Sequence, residues 1–290
     1  MSFKQSKISP IIILGMHRSG TTMITKFLDE LGLFIGDKLD DNHESLFFFD
    51  LNKWIFDVGI AKTDYPYNLQ LMNPNTKREV INVLDYHMSS RRRKKYLGKH
   101  RFKDVRDIDF KWGWKEPRNS FTLEFYKVLF PNAKIIHIYR NPIDSANSYI
   151  KRDIKRRNAF TLTWKKKLKR HFLIAHKYHQ NFRLRNLQDG YDLWQAYVEK
   201  AFSWEEEYKE RMVTLRYEDF LDNPFEQTKK LARFCGLEAT DAEIKQVVKE
   251  VDTSRKYAFT KDENSIAFYN TIKDNDWMKK LKYNDILEIS

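Results

Sequence analysis

One cysteine, Cys235, occurs in 290 residues, so the chain can build neither an internal disulfide framework nor a multi-cysteine metal site. It has no apolar run approaching the roughly 18 residues of a membrane-spanning helix. The polar segment Met1–Pro10 leads into a short apolar run, Ile11–Leu14, too brief for the core of a secretory leader. A reducing, cytoplasmic setting is the expectation that follows. Internal repeats and low-complexity linkers are also lacking. Charge is abundant: 32% of residues are charged, and 53 Lys and Arg against 40 Asp and Glu leave a net +13. Such a balance attracts anions, whether nucleotide, acidic glycan, nucleic acid or membrane surface. With 41% apolar and 15% aromatic residues, the chain can bury a sizeable core, which excludes wholesale disorder.

The apolar runs alternate between two periods. Ile11–Leu14, Trp112–Lys115, Ala133–Tyr139 and Met212–Arg216 read as short strands, the first and third rich in β-branched residues. Thr21–Leu33 has apolar residues at 23, 24, 27, 28 and 31, a helical spacing, with Gly32 near the end. Helices are also expected over part of Glu44–Ile60, Asn75–Tyr96, Ser120–Phe130, Pro142–Arg152, Pro224–Cys235 and Ala242–Val251. Strands alternating with helices predict an α/β fold, a parallel sheet flanked by helices. The charge excess is local. Lys151–Arg185 holds thirteen basic residues and one acidic residue, Asp153. Trp164, Leu168, Phe172, Ala175, Tyr178 and Phe182 recur there at spacings that make one face of a long amphipathic helix. The expectation is a single domain over 1–290, with 151–189 as a basic helical insertion.

Between the first strand and the first helix lies Gly15-Met-His-Arg-Ser-Gly20-Thr-Thr22. Glycines let such a loop turn tightly and approach an anion, and the N–H groups at the helix start then point at it. The Gly15-to-Gly20 spacing matches the nucleotide-binding signature GxxxxGK[ST], but Thr21 stands where a triphosphatase has Lys. The cation is Arg18, inside the loop, and a planar guanidinium suits an oxyanion bidentately. A second constellation starts at Arg140, at the end of the third strand, with Ser148 eight residues on and Arg152 twelve residues on. Helical spacing aligns Asp144, Ser148 and Arg152 on one face. Arg140 leaves the carboxyl end of its strand, the edge where open α/β sheets bind ligands.

These two elements, with Leu215-Arg-Tyr-Glu-Asp-Phe-Leu-Asp-Asn-Pro224, resemble the sulfotransferase superfamily, in its bacterial and Golgi-type branches. The resemblance covers most of 11–281 outside the insertion. It implies a P-loop nucleotide-kinase-like core and transfer of a sulfonate from 3′-phosphoadenosine 5′-phosphosulfate (PAPS), with PAP as product. It further implies that Arg18, Ser19, Gly20, Thr21 and Thr22 hold the 5′-phosphosulfate. Arg140 and Ser148 would bind the 3′-phosphate, Arg152 a third contact, and Tyr217 would lie near the adenine. Arg255 and Lys256 are further candidates for a cofactor phosphate. Trp112-Gly-Trp-Lys-Glu-Pro-Arg118 resembles an element of related enzymes whose lysine faces the sulfonate, which makes Lys115 an electrophilic cation and Arg118 a second contact.

Sulfonate transfer requires an acceptor hydroxyl to lose its proton while charge on the leaving phosphate is stabilised. Arginine and lysine can supply that stabilisation, and nothing in the sequence resembles a dedicated metal site. Three groups compete as general base: Asp50, Glu44 and His43. Asp50 aligns with an acidic residue of the bacterial branch and follows three phenylalanines, surroundings that desolvate a carboxylate and strengthen it as a base. His17 reads as a positional residue of the loop and His137 as a core histidine. The acceptor expected by analogy is a carbohydrate or carbohydrate-bearing metabolite, anionic acceptors included. The basic insertion suits steering of an acidic acceptor, contact of 151–185 with a membrane surface, or a solvated helix. It has no nucleic-acid-binding module. The competing functions are a P-loop kinase using ATP and Mg²⁺ and a non-catalytic anion- or nucleic-acid-binding protein.

Overall fold

A computed structural model of the protein describes residues 3–158, 164, 168 and 184–289. The chain forms two compact units: one of 1–62, 66–140 and 196–256, the other of 63–65, 141–195 and 257–290. Most of the expected amphipathic helix lies outside the described residues. Trp164 and Leu168 of its apolar stripe are helical and exposed.

The first unit holds a four-stranded parallel sheet of β1 (Ile11–Leu14), β2 (Gly113–Lys115), β3 (Lys134–Tyr139) and β4 (Met212–Arg216). Their spatial order is β2-β1-β3-β4. All four residues of β1 are buried, as a central parallel strand covered on both faces requires. β1 pairs with β3 from Ile11↔Lys134 to Leu14↔His137, and β3 with β4 from Ile135↔Met212 to Tyr139↔Arg216. The order reverses at β1/β3, and the carboxyl edge at such a reversal is where open α/β sheets bind ligands.

α1 (Thr21–Glu30) follows β1 and buries Ile24 and Leu28 against the sheet. It ends three residues before the expected Leu33. Gly32 is left-handed at φ 102°, the Leu33 amide bonds back to the Leu28 carbonyl at 2.8 Å, and that of Gly32 bonds to Asp29 at 2.9 Å. This is a Schellman termination, which a glycine allows. α2 (Leu46–Val58) docks through aromatics: Phe48 lies flat on Trp114, with centroids 3.8 Å apart. α3 (Pro74–Ser89) starts at Asn73, whose side chain accepts from the Thr76 amide.

The single helix expected over Asn75–Tyr96 is instead broken after Ser89. A 3₁₀ turn (Arg91–Arg93) and α4 (Lys94–Leu97) follow. Ser90 leaves helical geometry at ψ 167° and its hydroxyl accepts from the Arg92 amide, while the Arg93 guanidinium donates to the carbonyls of Ser89, Ser90 and Phe102. These local bonds outcompete continuation of the helix. α5 (Asn119–Leu129) packs behind β1 and α2.

In the second unit, α6 (Pro142–Asn158) is capped by Asn141, whose Oδ1 accepts from the amides of Ile143 and Asp144. The Asp144 carboxylate accepts from the Phe259 amide at 2.8 Å, and Asn147 donates to Ser265 at 2.9 Å. No helix among the described residues is long and apolar enough to cross a membrane.

Gly15 has φ 144°, and a Cβ there would lie 2.2 Å from the Ile138 carbonyl oxygen of β3. Gly32 is also left-handed but has open space around it. Gly15→Ala is therefore expected to destabilise the protein by about 3 kcal/mol or more, against about 1 kcal/mol for Gly32→Ala. Chemical denaturation of the two variants checks the order.

Candidate active site

The loop after β1 passes over the end of β3 and turns into α1. Arg18 adopts φ 74°, a left-handed conformation that costs a side-chain-bearing residue roughly 1 kcal/mol, and its side chain is exposed. Gly20, at φ 90°, starts the helix. α1 has no side-chain cap and no acidic residue in its first turn, so its positive end is not neutralised by its own sequence. Ser19 is 1% exposed, and its hydroxyl has no hydrogen-bond partner among the described residues. A buried hydroxyl left so is costly unless something else bonds to it.

Gly20 also meets Tyr217, the first residue after β4. A Cβ on Gly20 would lie 2.3 Å from that ring, so only glycine lets ring and loop touch. Arg140, just past β3, stacks its guanidinium 4.8 Å from the same ring and donates to the Arg255 carbonyl at 2.8 Å. Burial raises the Tyr217 phenol, and the Arg140 charge opposes the rise. The ends of β1, β3 and β4 thus converge on one aromatic ring, bringing the loop, Tyr217 and Arg140 together. Lys256 pairs with Asp222 at 2.6 Å. Ser148 and Arg152 lie on α6 in the second unit, where the Arg152 guanidinium stacks 4.5 Å from the Tyr149 ring.

Lys115 ends β2 and is 1% exposed. Its ammonium donates to the Asn42 carbonyl at 2.5 Å, to Glu44 Oε1 at 3.1 Å and to Thr22 Oγ1 at 3.5 Å. Thr22 Oγ1 donates to the same Asn42 carbonyl. Glu44 is therefore joined to the first turn of α1 through Lys115. Its carboxyl is pushed up to about 7, chiefly by burial; Lys115 pulls it down, and the nearby charges of Glu116 and Asp40 add to the rise. The desolvation expected at Asp50 falls on Glu44 instead. Asp50 is 44% exposed and pairs with Lys95 at 2.7 Å, because α2 turns the face bearing Phe47, Phe48 and Leu51 inward and leaves Asp50 at its edge. His43 is left-handed at φ 61° and bonds Asp29 through Nε2 at 2.7 Å. His137 is buried in β3 and pushed down to about 3 by desolvation, a neutral core imidazole as expected.

Beneath Lys115 lies a buried network that sequence reasoning missed. Glu116 accepts from Arg118 at 2.9 Å and from Asn52 at 2.6 Å. Asn52 also donates to Asn119 and accepts from Thr122. Arg118, expected to be a second ligand contact, is instead committed to Glu116 and stacks on Phe49 at 4.6 Å. The run Lys115–Arg118 was the one visible signal. Asn52 is 64 residues from Glu116 in sequence and carried none.

The Glu44 carboxyl binds its proton more tightly folded (about 7) than unfolded (4.5). Its ionised form therefore opposes folding above about pH 7, and that penalty fades as the pH falls toward the unfolded value. The stability of the wild type relative to Glu44→Gln is expected to rise between about pH 8 and 5, by up to about 3 kcal/mol. Denaturant titrations of both proteins across that range check it.

Residues 10–241 match a model described as the sulfotransferase family. Three solved structures of similar shape are the sulfotransferase domain from the curacin biosynthetic pathway, a sulfotransferase from Mycobacterium avium and a mouse sulfotransferase complexed with PAP. The first shares 16% identity over 88% of this chain and 81% of its own, with a TM-score of 0.47. The second shares 17% over 84% and 69%, at 0.44. The third shares 15% over 87% and 67%, at 0.42. A search of curated protein sequences finds no match. The family match takes in the whole parallel sheet, the loop after β1, Lys115 and Arg140, and the chain belongs to the sulfotransferase family.

Proposed function

We propose that the protein transfers a sulfonate group from PAPS to an acceptor hydroxyl, with Glu44 as the general base. The observation that carries this reading is the meeting of the Gly15–Gly20 loop, Tyr217 and Arg140 at the carboxyl edge of the β1/β3 switch. The residues present fit a phosphosulfate. Among the described residues the Ser19 hydroxyl is buried without a partner, and the first turn of α1 has no side-chain cap and no acidic residue of its own. Ser19, Gly20, Thr21, Thr22 and Arg18 would hold the phosphosulfate, and Arg140 the 3′-phosphate. When bound, PAPS supplies the electrophilic sulfonate.

The remaining roles belong to the chain itself. Glu44, with a carboxyl near 7, is ionised enough at neutral pH to take the proton of an acceptor hydroxyl at Oε2, while Lys115 holds Oε1. Lys115 also brings a fixed positive charge to Thr22, where negative charge must be stabilised. Glu116, Asn52 and Arg118 anchor the segment following Lys115. The acceptor this reading favours is a carbohydrate or carbohydrate-bearing metabolite, and the setting it favours is the cytoplasm.

Calorimetry and a transfer assay test the proposal together. PAP should bind without added metal, and Arg140→Ala should weaken it by about tenfold or more. A preference for Mg-ATP over PAP would overturn the reading. With labelled PAPS and a panel of glycans and small alcohols, Arg18→Ala should abolish transfer. Glu44→Gln should lower kcat by about 10²-fold or more while PAP affinity stays unchanged. The wild-type rate should climb as pH rises through about 7, because only the ionised carboxylate accepts a proton, and Glu44→Gln should lose that limb. An equal loss in Asp50→Asn, with Glu44→Gln unaffected, would move the base to Asp50.

A further inference from the structure

Outside the site described, a cavity of about 330 Å³ is lined by Lys38, Arg91, Arg92, Lys94, Lys95 and Asp50. Phe47 and Leu51, on the buried face of α2, complete its walls. Five cations thus face one carboxylate, and Asp50 is already engaged by Lys95 at 2.7 Å. No carboxylate among the described residues pairs with Lys38, Arg91, Arg92 or Lys94. The backbone that presents them is held in place. Arg93 ties the 3₁₀ turn to three carbonyls, Ser90 caps it, and the Lys38 amide donates to the Lys95 carbonyl at 3.3 Å. Like charges gathered in a concavity repel one another, and an anion entering it offsets that cost. Guanidinium groups match carboxylate, sulfate and phosphate bidentately. The cavity presents no exposed aromatic ring for base stacking, which speaks against nucleic acid.

The cavity shares a loop with the candidate base. The Leu46 amide donates to the Lys38 carbonyl at 2.9 Å, Leu39 and Ser45 form an antiparallel bridge, and the Glu44 amide donates to Asp40 at 2.8 Å. Lys38 and Glu44 therefore sit on one short hairpin.

We infer that this cavity is an acceptor subsite, which takes an anionic group (carboxylate, sulfate or phosphate monoester) carried by the acceptor itself. It rests on the sulfonate-transfer reading above, and it makes the acceptor an acidic hydroxyl compound. An anionic group held here aligns a hydroxyl elsewhere on the same molecule with Glu44.

The test compares a chondroitin hexasaccharide with the same hexasaccharide whose carboxylates are reduced to alcohols. Calorimetry at fixed ionic strength measures binding of each to the wild type and to the double variant Arg91→Ala/Arg92→Ala. Both arginines are exposed, so the variant should keep its melting temperature; Lys94→Ala serves as a milder second variant. The wild type should bind the acidic hexasaccharide about tenfold more tightly than the neutral one, and the double variant should lose most of that preference. Affinity for the neutral hexasaccharide and for PAP should not move. Equal binding of the two hexasaccharides by the wild type, absence of binding included, overturns the inference. So does an equal loss for both in the variants, displacement by inorganic sulfate at a concentration no higher than that of the hexasaccharide, or tighter binding of a single-stranded oligothymidylate that the same variants weaken. Failure of the wild type to bind PAP would instead overturn the donor reading, and the saccharide comparison would still decide the cavity.

Discussion

The pairing of β1 with β3 is the constraint on which the candidate site depends. In a parallel ladder the carboxyl ends of neighbouring strands emerge side by side, so Gly15 and Arg140 leave the sheet at the same edge. The loop after β1 crosses so close above the Ile138 carbonyl that only glycine fits. β4 pairs with β3 up to Arg216 and delivers Tyr217 to the same place. The ring of Tyr217 then joins the loop on one side to Arg140 on the other. The sheet thereby brings the loop, Tyr217 and Arg140 together from segments far apart in sequence.

A second constraint places the buried Glu44–Lys115 pair beside that loop. The stack of Phe48 on Trp114 clamps α2 to the sheet edge next to β2, and the Tyr96 hydroxyl donates to the Gly113 carbonyl at 2.6 Å. The hairpin preceding α2 is thereby held against the end of β2, where Glu44 and Lys115 meet. Burying that pair is not in itself stabilising, since desolvation offsets much of the attraction. The raised Glu44 carboxyl is the sign of that conflict. The Glu116–Arg118–Asn52 network satisfies the neighbouring buried charges, so the strain stays at Glu44.

The break after α3 has a similar consequence for the surface. A continuous helix would have presented Arg91, Arg92, Lys94 and Lys95 on one convex face. The Ser90 cap and the three carbonyl bonds of Arg93 fold the run back instead, so these cations line one concavity with Lys38.

Much was legible in the sequence because it is local. The four strands follow from short β-branched or aromatic runs, and the Gly15–Gly20 loop follows from glycine spacing. Arg18, Arg140 and Tyr217 stand out because each directly follows a strand or sits in the loop after one. The glycine that ends α1 was visible at Gly32, but the break at Ser90 was not, since it depends on hydrogen bonds that form only when a carbonyl a few residues back is left free. The sequence pointed to Asp50 as the desolvated carboxylate and the fold buries Glu44 instead, because periodicity gives the neighbours of a residue in the chain, whereas its solvation depends on which face of α2 the Phe48–Trp114 stack turns inward. The sequence by itself determined the strands, the Gly15–Gly20 turn and the family. Tertiary structure alone decided which carboxylate is buried beside Lys115, that Arg118 serves Glu116, and that a basic run becomes a cavity, because burial and charge pairing are set by contacts between segments dozens of residues apart.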